Sequence, residues 1–478
     1  MKKSDTVVFV SGNFFALHPG HVRVLKFAAE SGDTLVVGVS ATRPSNDVPP
    51  PEERAEALRE LGIVDRVVVL DDGVETYLRE LKPGVVIKGK EFENVPNPEE
   101  PILKEYGGRL IFASGESTYS GSDLLAHDNK ASKSPRLSIP QDFLERHGLG
   151  AKQLIDRVKS FSNLSVVVVG DLIVDEYVNC EPLGMSQEEP SIVVSPQSTD
   201  RFIGGAGIVA AHAASLGASV DFLSIVGDDE TGDLVAAWLP EYEVNAHLIT
   251  DESRPTTLKQ RFRAQDRTML RVSHLRQHEI SKEHQSQIAA KFESLCAKAD
   301  LVIFSDFNYG CLPQPLIDQL ANTAQKTSTM FVADSQSSSQ VGDISRYKNA
   351  HLLTPTEFEA RLALRDQNSG LAKMGHDLLA ATDSANVFVK LGAAGVLIVS
   401  AEPAPTEQQV DRLPAFNSLP KDVSGAGDSM LTAASLALSA GASTWEAAFI
   451  GSIAAGIQTG RVGNVPISTD ELTDSLTK

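Results

Sequence analysis

The chain has 478 residues, 42% of them hydrophobic and 22% charged, which is ordinary globular usage and excludes long disordered tracts. That length exceeds what one hydrophobic core usually supports, so two domains are expected. With 63 acidic against 43 basic residues the formal charge is −20, which opposes nonspecific binding to nucleic acid or to an anionic membrane and leaves phosphorylated substrates to be held by local donors.

In chain order, the first third alternates apolar strands with helical patterns. Strands are expected at Thr6–Ser11, Thr34–Ser40, Asp65–Leu70, Val85–Lys88 and Arg109–Ala113, with helices at His21–Ser31, Glu52–Leu61 and Val74–Leu81. Such alternation implies a parallel sheet covered by helices, a small Rossmann-like domain. The segment HDNKASKSPRLS, His127–Ser138, has no apolar periodicity and has linker composition. A helix at Gly150–Phe161 then leads into Leu164–Val169, a β-branched run that reads as the buried first strand of a second parallel sheet. Strands follow at Ala299–Ser305, Met330–Ala333, His351–Thr354 and Val387–Leu391, and a helical, Ala-rich stretch at Ser429–Gly460. The expected domains are 1–127 and 161–478, with 128–160 as linker and leading helix.

The opening MKKSDTVVFVSGNFF runs into a strand–turn pattern rather than a cleavage site, and no stretch approaches the roughly 18 apolar residues of a membrane span. Cys180, Cys296 and Cys311 are too scattered for a disulfide framework or a zinc cluster. These features together lead us to expect a cytoplasmic protein.

Asp422–Ser429 reads DVSGAGDS and precedes an apolar helical run, placing Gly425, Ala426 and Gly427 where backbone N–H groups and the helix dipole favour an anion. Asp428 stands in that turn as a candidate base for an attacking hydroxyl; a simple helix cap is the alternative. Gly204 and Gly205 precede a second Ala-rich helix, a weaker signal that tight helix packing also explains. Near the N-terminus, GNFFALHPGH carries His18 and His21 at a helix start, able to donate to one phosphate or simply to cap the helix.

Taken together, Gly170-Asp171, GGAG at Gly204–Gly207, SDF at Ser305–Phe307, TPTEFE from Thr354 and DVSGAGDS resemble the PfkB carbohydrate kinases from about Ser162 to Leu472. Within that class VVVVGDLIVDEYV, SQEEP, GGAGIVAAHAASLGA and SRPTTLKQRF look most like the kinase half of the bifunctional heptose 7-phosphate kinase and heptose 1-phosphate adenylyltransferase family of ADP-heptose biosynthesis. The resemblance implies a ribokinase-like α/β domain with a small β lid, ATP as phosphoryl donor, and Mg²⁺ organised by Glu359. It also implies that Asp171 and Asp175 touch sugar hydroxyls, that Gly204 and Gly205 let the backbone approach the sugar, and that Lys259, Arg261 and Arg271 meet a substrate phosphate. Without it, those three cations would read as solvated strand residues. The chain departs from the pattern at Gly207, Tyr309, Thr356 and Gln336, where the family carries Asn, a basic residue, Asn and Lys.

The segments HPGHVRVLKFAAESGDTLVVGVS, PPPEERAEALRELGIVDRVVVL, LKPGVVIKGKEF and ASGESTYSGSDLL resemble cytidylyltransferase-like nucleotidyltransferases, in the reverse of the usual fused order. That resemblance implies that His18 and His21 stabilise nucleotidyl transfer from a nucleoside triphosphate to a sugar 1-phosphate. It places Gly12, Phe14, Arg54, Lys88, Ser117 and Thr118 at the nucleotide. Read alone, Arg54 suits an exposed helical ion pair and Lys88 a solvated strand end. Phe15 and Ala41 replace two acids of the family pattern, which also admits a noncatalytic nucleotide- or sugar-binding module. A homodimer is the expected assembly.

Overall fold

A computed structural model of the chain describes residues 6–15, 17, 19–43, 49–71, 73–89, 97–113, 137–189, 191–264, 267–337, 340–401 and 410–477. The chain divides into two compact units, 1–133 and 134–478. Most of the expected linker, 127–136, lies outside the described residues, as do His18, Ser117 and Thr118.

In the first unit five strands, β1 (Val7–Gly12), β2 (Thr34–Ser40), β3 (Arg66–Leu70), β4 (Val85–Gly89) and β5 (Arg109–Ala113), form a sheet in the order β3-β2-β1-β4-β5. Every pairing is parallel. Side chains alternate across the pleat, so Val8, Val10, Val37 and Ile87 pack with Leu25, Ala28 and Leu58 on one face. Phe9, Val36 and Val86 pack with Leu78, Ile102 and Leu103 on the other. The order in which strands are added reverses between β1 and β4, which marks a crevice beyond their carboxyl ends where ligands bind in such sheets.

The second unit begins with two helices, Gln141–His147 and Ala151–Lys159, whose Phe143, Leu154 and Val158 are buried in its core. In chain order its strands are β6 (Ser165–Gly170), β7 (Leu172–Met185), β8 (Ile192–Gly205), β9 (Ser219–Val226), β10 (Val244–Thr250), β11 (Thr257–Ala264) and β12 (Arg267–His274). They continue with β13 (Leu301–Asp306), β14 (Met330–Ser335), β15 (Leu352–Leu353), β16 (Asn386–Lys390), β17 (Val396–Ser400) and β18 (Val410–Leu413). Nine of these make one sheet, β10-β9-β6-β13-β14-β15-β16-β17-β18, parallel up to β16 and antiparallel beyond. Val166 and Val168 face one helical layer, and Val167 and Val169 the other, so β6 is buried on both sides as its continuous valine run demands. The remaining four strands form a separate small sheet, β12-β11-β7-β8. This is a doubly covered α/β unit with a β lid, preceded by a Rossmann-like unit.

The helical, Ala-rich stretch is two helices, Ala426–Ser439 and Thr444–Thr459. Gly441 at φ 82° breaks the first, and Ser443 with Glu446 starts the second by a reciprocal capping box. A helix the alternation did not announce, Glu99–Tyr106, precedes β5.

Candidate active site

The carboxyl ends of β6, β13, β14 and β16 deliver Gly170, Asp306, Ser335 and Lys390 to one edge of the large sheet. Helix Ala426–Ser439 starts at the same edge, with Gly425 at φ 74° as its cap residue, a conformation that glycine adopts without strain. The first N–H groups of a helix have no partner inside it, so this turn presents donors and a positive dipole end. Asp428 lies in the first turn and is only 6% exposed.

Asp428 is linked to a chain of polar groups that the sequence reading did not assemble. Gln336 Nε2 donates to Asp428 Oδ1 at 2.9 Å and to Asp334 Oδ2 at 3.2 Å. Lys390 Nζ lies 3.0 Å from both Asp334 oxygens. Burial, reinforced by the charges of Asp334 and Asp175 and only partly opposed by Lys390 and Gln336, pushes the Asp428 carboxyl up to about 7. A carboxyl so poised ionises near neutral pH, where a general base is most effective.

The expected sugar-side residues separate into two kinds. Asp175 accepts from Arg261 Nη2 at 3.2 Å and from Asn464 Nδ2 at 3.1 Å, and Gly204 packs so closely that a Cβ there would lie 2.4 Å from Asp175 Oδ2. Asp171 instead accepts from the backbone N–H groups of Phe307, Tyr309 and Cys311, at 2.8, 3.3 and 3.2 Å. With both oxygens taken, Asp171 is arranged to anchor the 307–311 loop, not to reach a sugar. Gly205, at φ 58°, sits between the end of β8 and the following helix, whose Ala206 N–H donates to the Asp171 carbonyl.

A cavity of about 260 Å³ abuts the turn, lined by Tyr177, Arg261, Arg263, Arg271, Lys421 and Asp422 among others. Arg261 and Arg271 are cross-strand partners on β11 and β12, which brings two of the three expected phosphate cations together. Lys259 does not line this cavity; its Nζ lies 5.0 Å from the ring centres of Phe307 and Tyr309. Arg263 was missed, although its place two residues beyond Arg261 on a strand puts it on the same face. Lys421 and Asn464 had no comparable signal.

Glu359 Oε1 accepts from Ser337 N and Oε2 from Thr356 N, both at 2.7 Å, within a capping box. Both oxygens are thus engaged in holding backbone, and among the described residues no group of three or more His, Cys, Asp or Glu is placed to hold a metal. Glu359 therefore does not fit a direct Mg²⁺ ligand; an ion held mainly by nucleotide phosphates and water needs no such cage.

In the first unit the residues after β1 form a packed turn. Phe14 adopts φ 47°, is 5% exposed and lies against Gly12, with its ring 5.0 Å from that of His21. Arg54, 3% exposed, donates Nε to the Pro49 carbonyl and Nη2 to the Thr42 carbonyl, both at 3.0 Å, and Nη1 to the Asn13 carbonyl. It also lies over the Phe15 ring. Arg54 is thus a buried clamp on three loop segments, not an exposed ion-pair partner. Lys88 Nζ is 2.9 and 3.0 Å from the two oxygens of Glu99, itself 3% exposed, so it is no solvated strand end.

Comparison with known proteins agrees with this architecture. Residues 163–470 match the model of the pfkB family carbohydrate kinases, and residues 9–112 the cytidylyltransferase-like model. The chain is 33% identical over 324 residues to the bifunctional protein HldE of Desulfatibacillum aliphaticivorans and 29% over 327 to that of Paramagnetospirillum magneticum. These matches take in 67% and 68% of this chain but 64% and 65% of the relatives' lengths. Among solved structures, Escherichia coli phosphofructokinase-2 in complex with substrates and products superposes with a TM-score of 0.55 at 18% identity, covering 66% of this chain and 98% of that one. Ribokinase of Arabidopsis thaliana gives 0.53 at 18%, covering 66% and 99%. Those two likenesses speak for the fold. The family match spans most of the chain and holds the buried aspartate in its glycine turn, so this chain belongs to the pfkB family of carbohydrate kinases, carried behind a cytidylyltransferase-like domain.

Proposed function

We propose that the second unit transfers the γ-phosphoryl group of ATP to a hydroxyl of a sugar that already carries a phosphate, by resemblance C1 of a heptose 7-phosphate. The observation that carries this reading is Asp428, buried in the first turn of a helix, where the segment leading into that helix lines a cavity together with Arg261, Arg263 and Arg271. Asp428 accepts the proton of the attacking hydroxyl as the sugar oxygen bonds to phosphorus and the bond to the β-phosphate breaks, releasing ADP. The N–H groups of Gly425–Gly427 meet the charge on the transferring group. Asp175 orients the sugar, held by Arg261 and Asn464. The test is incubation with ATP, Mg²⁺ and a panel of sugar phosphates, read by mass spectrometry. A product heavier by one phosphoryl group, absent with Asp428→Asn, is expected; equal product from both proteins would overturn the assignment.

For the first unit, nucleotidyl transfer to a sugar 1-phosphate with release of pyrophosphate is one reading. A binding module without transferase activity is the other, and two observations favour it. Arg54 gives three donors to backbone carbonyls, and Lys88 is paired with Glu99. Pyrophosphate release assayed with each nucleoside triphosphate and a sugar 1-phosphate separates them: none is expected, and release abolished by His21→Ala would restore the transferase reading. The proposed assembly is a homodimer, supported by Leu183, Met185 and Ile192, exposed near the tips of β7 and β8. Sedimentation of wild type and Leu183→Asp tests it; a monomer in both would refute it.

A further inference from the structure

Lys390 is the last residue of β16, a run of Asn-Val-Phe-Val-Lys whose other members are buried. Its side chain reaches across to β14, where Nζ meets both oxygens of Asp334, a residue only 1% exposed. An ammonium has three N–H donors, and two are accounted for by those oxygens. The same Nζ is pressed against the catalytic turn, for a Cβ added at Gly427 would lie 3.2 Å from it. A full positive charge therefore stands beside the N–H groups that begin helix Ala426–Ser439. Its side chain keeps 13% exposure, so Lys390 borders the open end of the sheet without being sealed in the core. Burial works against that charge, but Asp334, Glu359 and Asp428 outweigh it and hold Lys390 above the ordinary lysine range, so it stays an ammonium. Gln336 serves as the bridge between Asp334 and Asp428.

We propose that Lys390 is a catalytic cation of this kinase: its ammonium contacts the transferring phosphoryl group of ATP above Gly427, and Asp334 is the positioning carboxylate that holds it there. This inference rests on the kinase reading above. A preorganised point charge next to the turn stabilises the charge spread over the equatorial phosphoryl oxygens, as phosphoryl transfer requires. No proton leaves Lys390 in the step; Asp428 takes the one proton released.

Removing Lys390 alone would strand a buried Asp334, so the test compares two variants in the full chain. Asp334→Asn keeps the cation and removes its partner; Asp334→Asn with Lys390→Met removes both charges. A purely structural ion pair predicts equal turnover in the two. The proposal predicts that the double variant turns over about 10²-fold more slowly than Asp334→Asn, the loss expected for one preorganised donor. It also predicts that the double variant loses about tenfold or more of the preference for ATP over ADP in calorimetric binding, since ADP lacks the group Lys390 contacts. Equal turnover and an unchanged ATP-to-ADP ratio would overturn it. If wild type phosphorylates no sugar, the kinase reading falls, and the binding ratio still decides whether Lys390 faces the γ-phosphate.

Discussion

Replacing Asp428 by Asn should cripple the enzyme and stabilise it in the same stroke. The native carboxyl titrates near 7 against an ordinary value of 3.8, so the native state holds this proton more tightly than the unfolded chain. As pH rises above about 4 the unfolded chain releases the proton first, and stability falls until the native group ionises near pH 7. The full shift, about 3 pH units at 1.36 kcal/mol each, corresponds to roughly 4 kcal/mol of burden above pH 7. Asn cannot ionise, yet its side-chain oxygen can still accept from Gln336. The advantage of Asp428→Asn should therefore grow by about 2 kcal/mol between pH 5.5 and 8.5, the part of the titration that window covers. Both tryptophans, Trp238 and Trp445, belong to the second unit, so denaturant unfolding followed by their fluorescence reports on it. Turnover should fall by roughly 10²-fold or more, as for loss of a general base. A mutant less stable than wild type at pH 8.5, or a stability difference independent of pH, would refute the reasoning even if activity were lost.

The same ionisation sets the pH profile: kcat/KM should rise about tenfold per unit below pH 7 and level off above it, and a flat profile from pH 5.5 to 8.5 would contradict a base at Asp428. Glu359→Ala should cost about 1–2 kcal/mol by undoing the capping box, while leaving MgATP affinity within about threefold; a hundredfold loss of that affinity would make Glu359 a metal ligand after all. Arg271→Ala should raise KM for the phosphorylated sugar about tenfold or more with KM for ATP unchanged, since it lines the cavity from β12 of the lid, opposite Arg261; equal effects on both substrates would misplace the phosphate.

Those predictions mix residues that were legible in the sequence with residues that were not. The β-branched runs Val166–Val169 and Val85–Ile87 announced buried parallel strands, because continuous apolar stretches bounded by turn residues have few other uses. The helix start that holds Asp428 was legible because its glycines precede an apolar run locally. The Asp428–Gln336–Asp334–Lys390 chain was not, since its members come from three separate segments and meet only once β14 and β16 are placed in the sheet. Asp171 and Glu359 read as ligand contacts from their motifs, yet each spends its oxygens on backbone N–H groups. Motif position does not reveal which way a carboxylate is engaged. Arg54 and Lys88 read alone as an exposed helical ion-pair partner and a solvated strand end, and by resemblance as nucleotide contacts; only the loops folding over Arg54 and the Glu99–Tyr106 helix beside Lys88 explain their burial.

The central claim is that the cation-lined cavity next to the glycine turn selects an acceptor sugar already bearing a phosphate. The direct measurement is kcat/KM for heptose 7-phosphate and for unphosphorylated heptose, at saturating ATP and pH 8. The account predicts at least about a hundredfold preference for the phosphorylated sugar, as expected from charge-assisted contacts to several arginines. Equal values for the two sugars would contradict it.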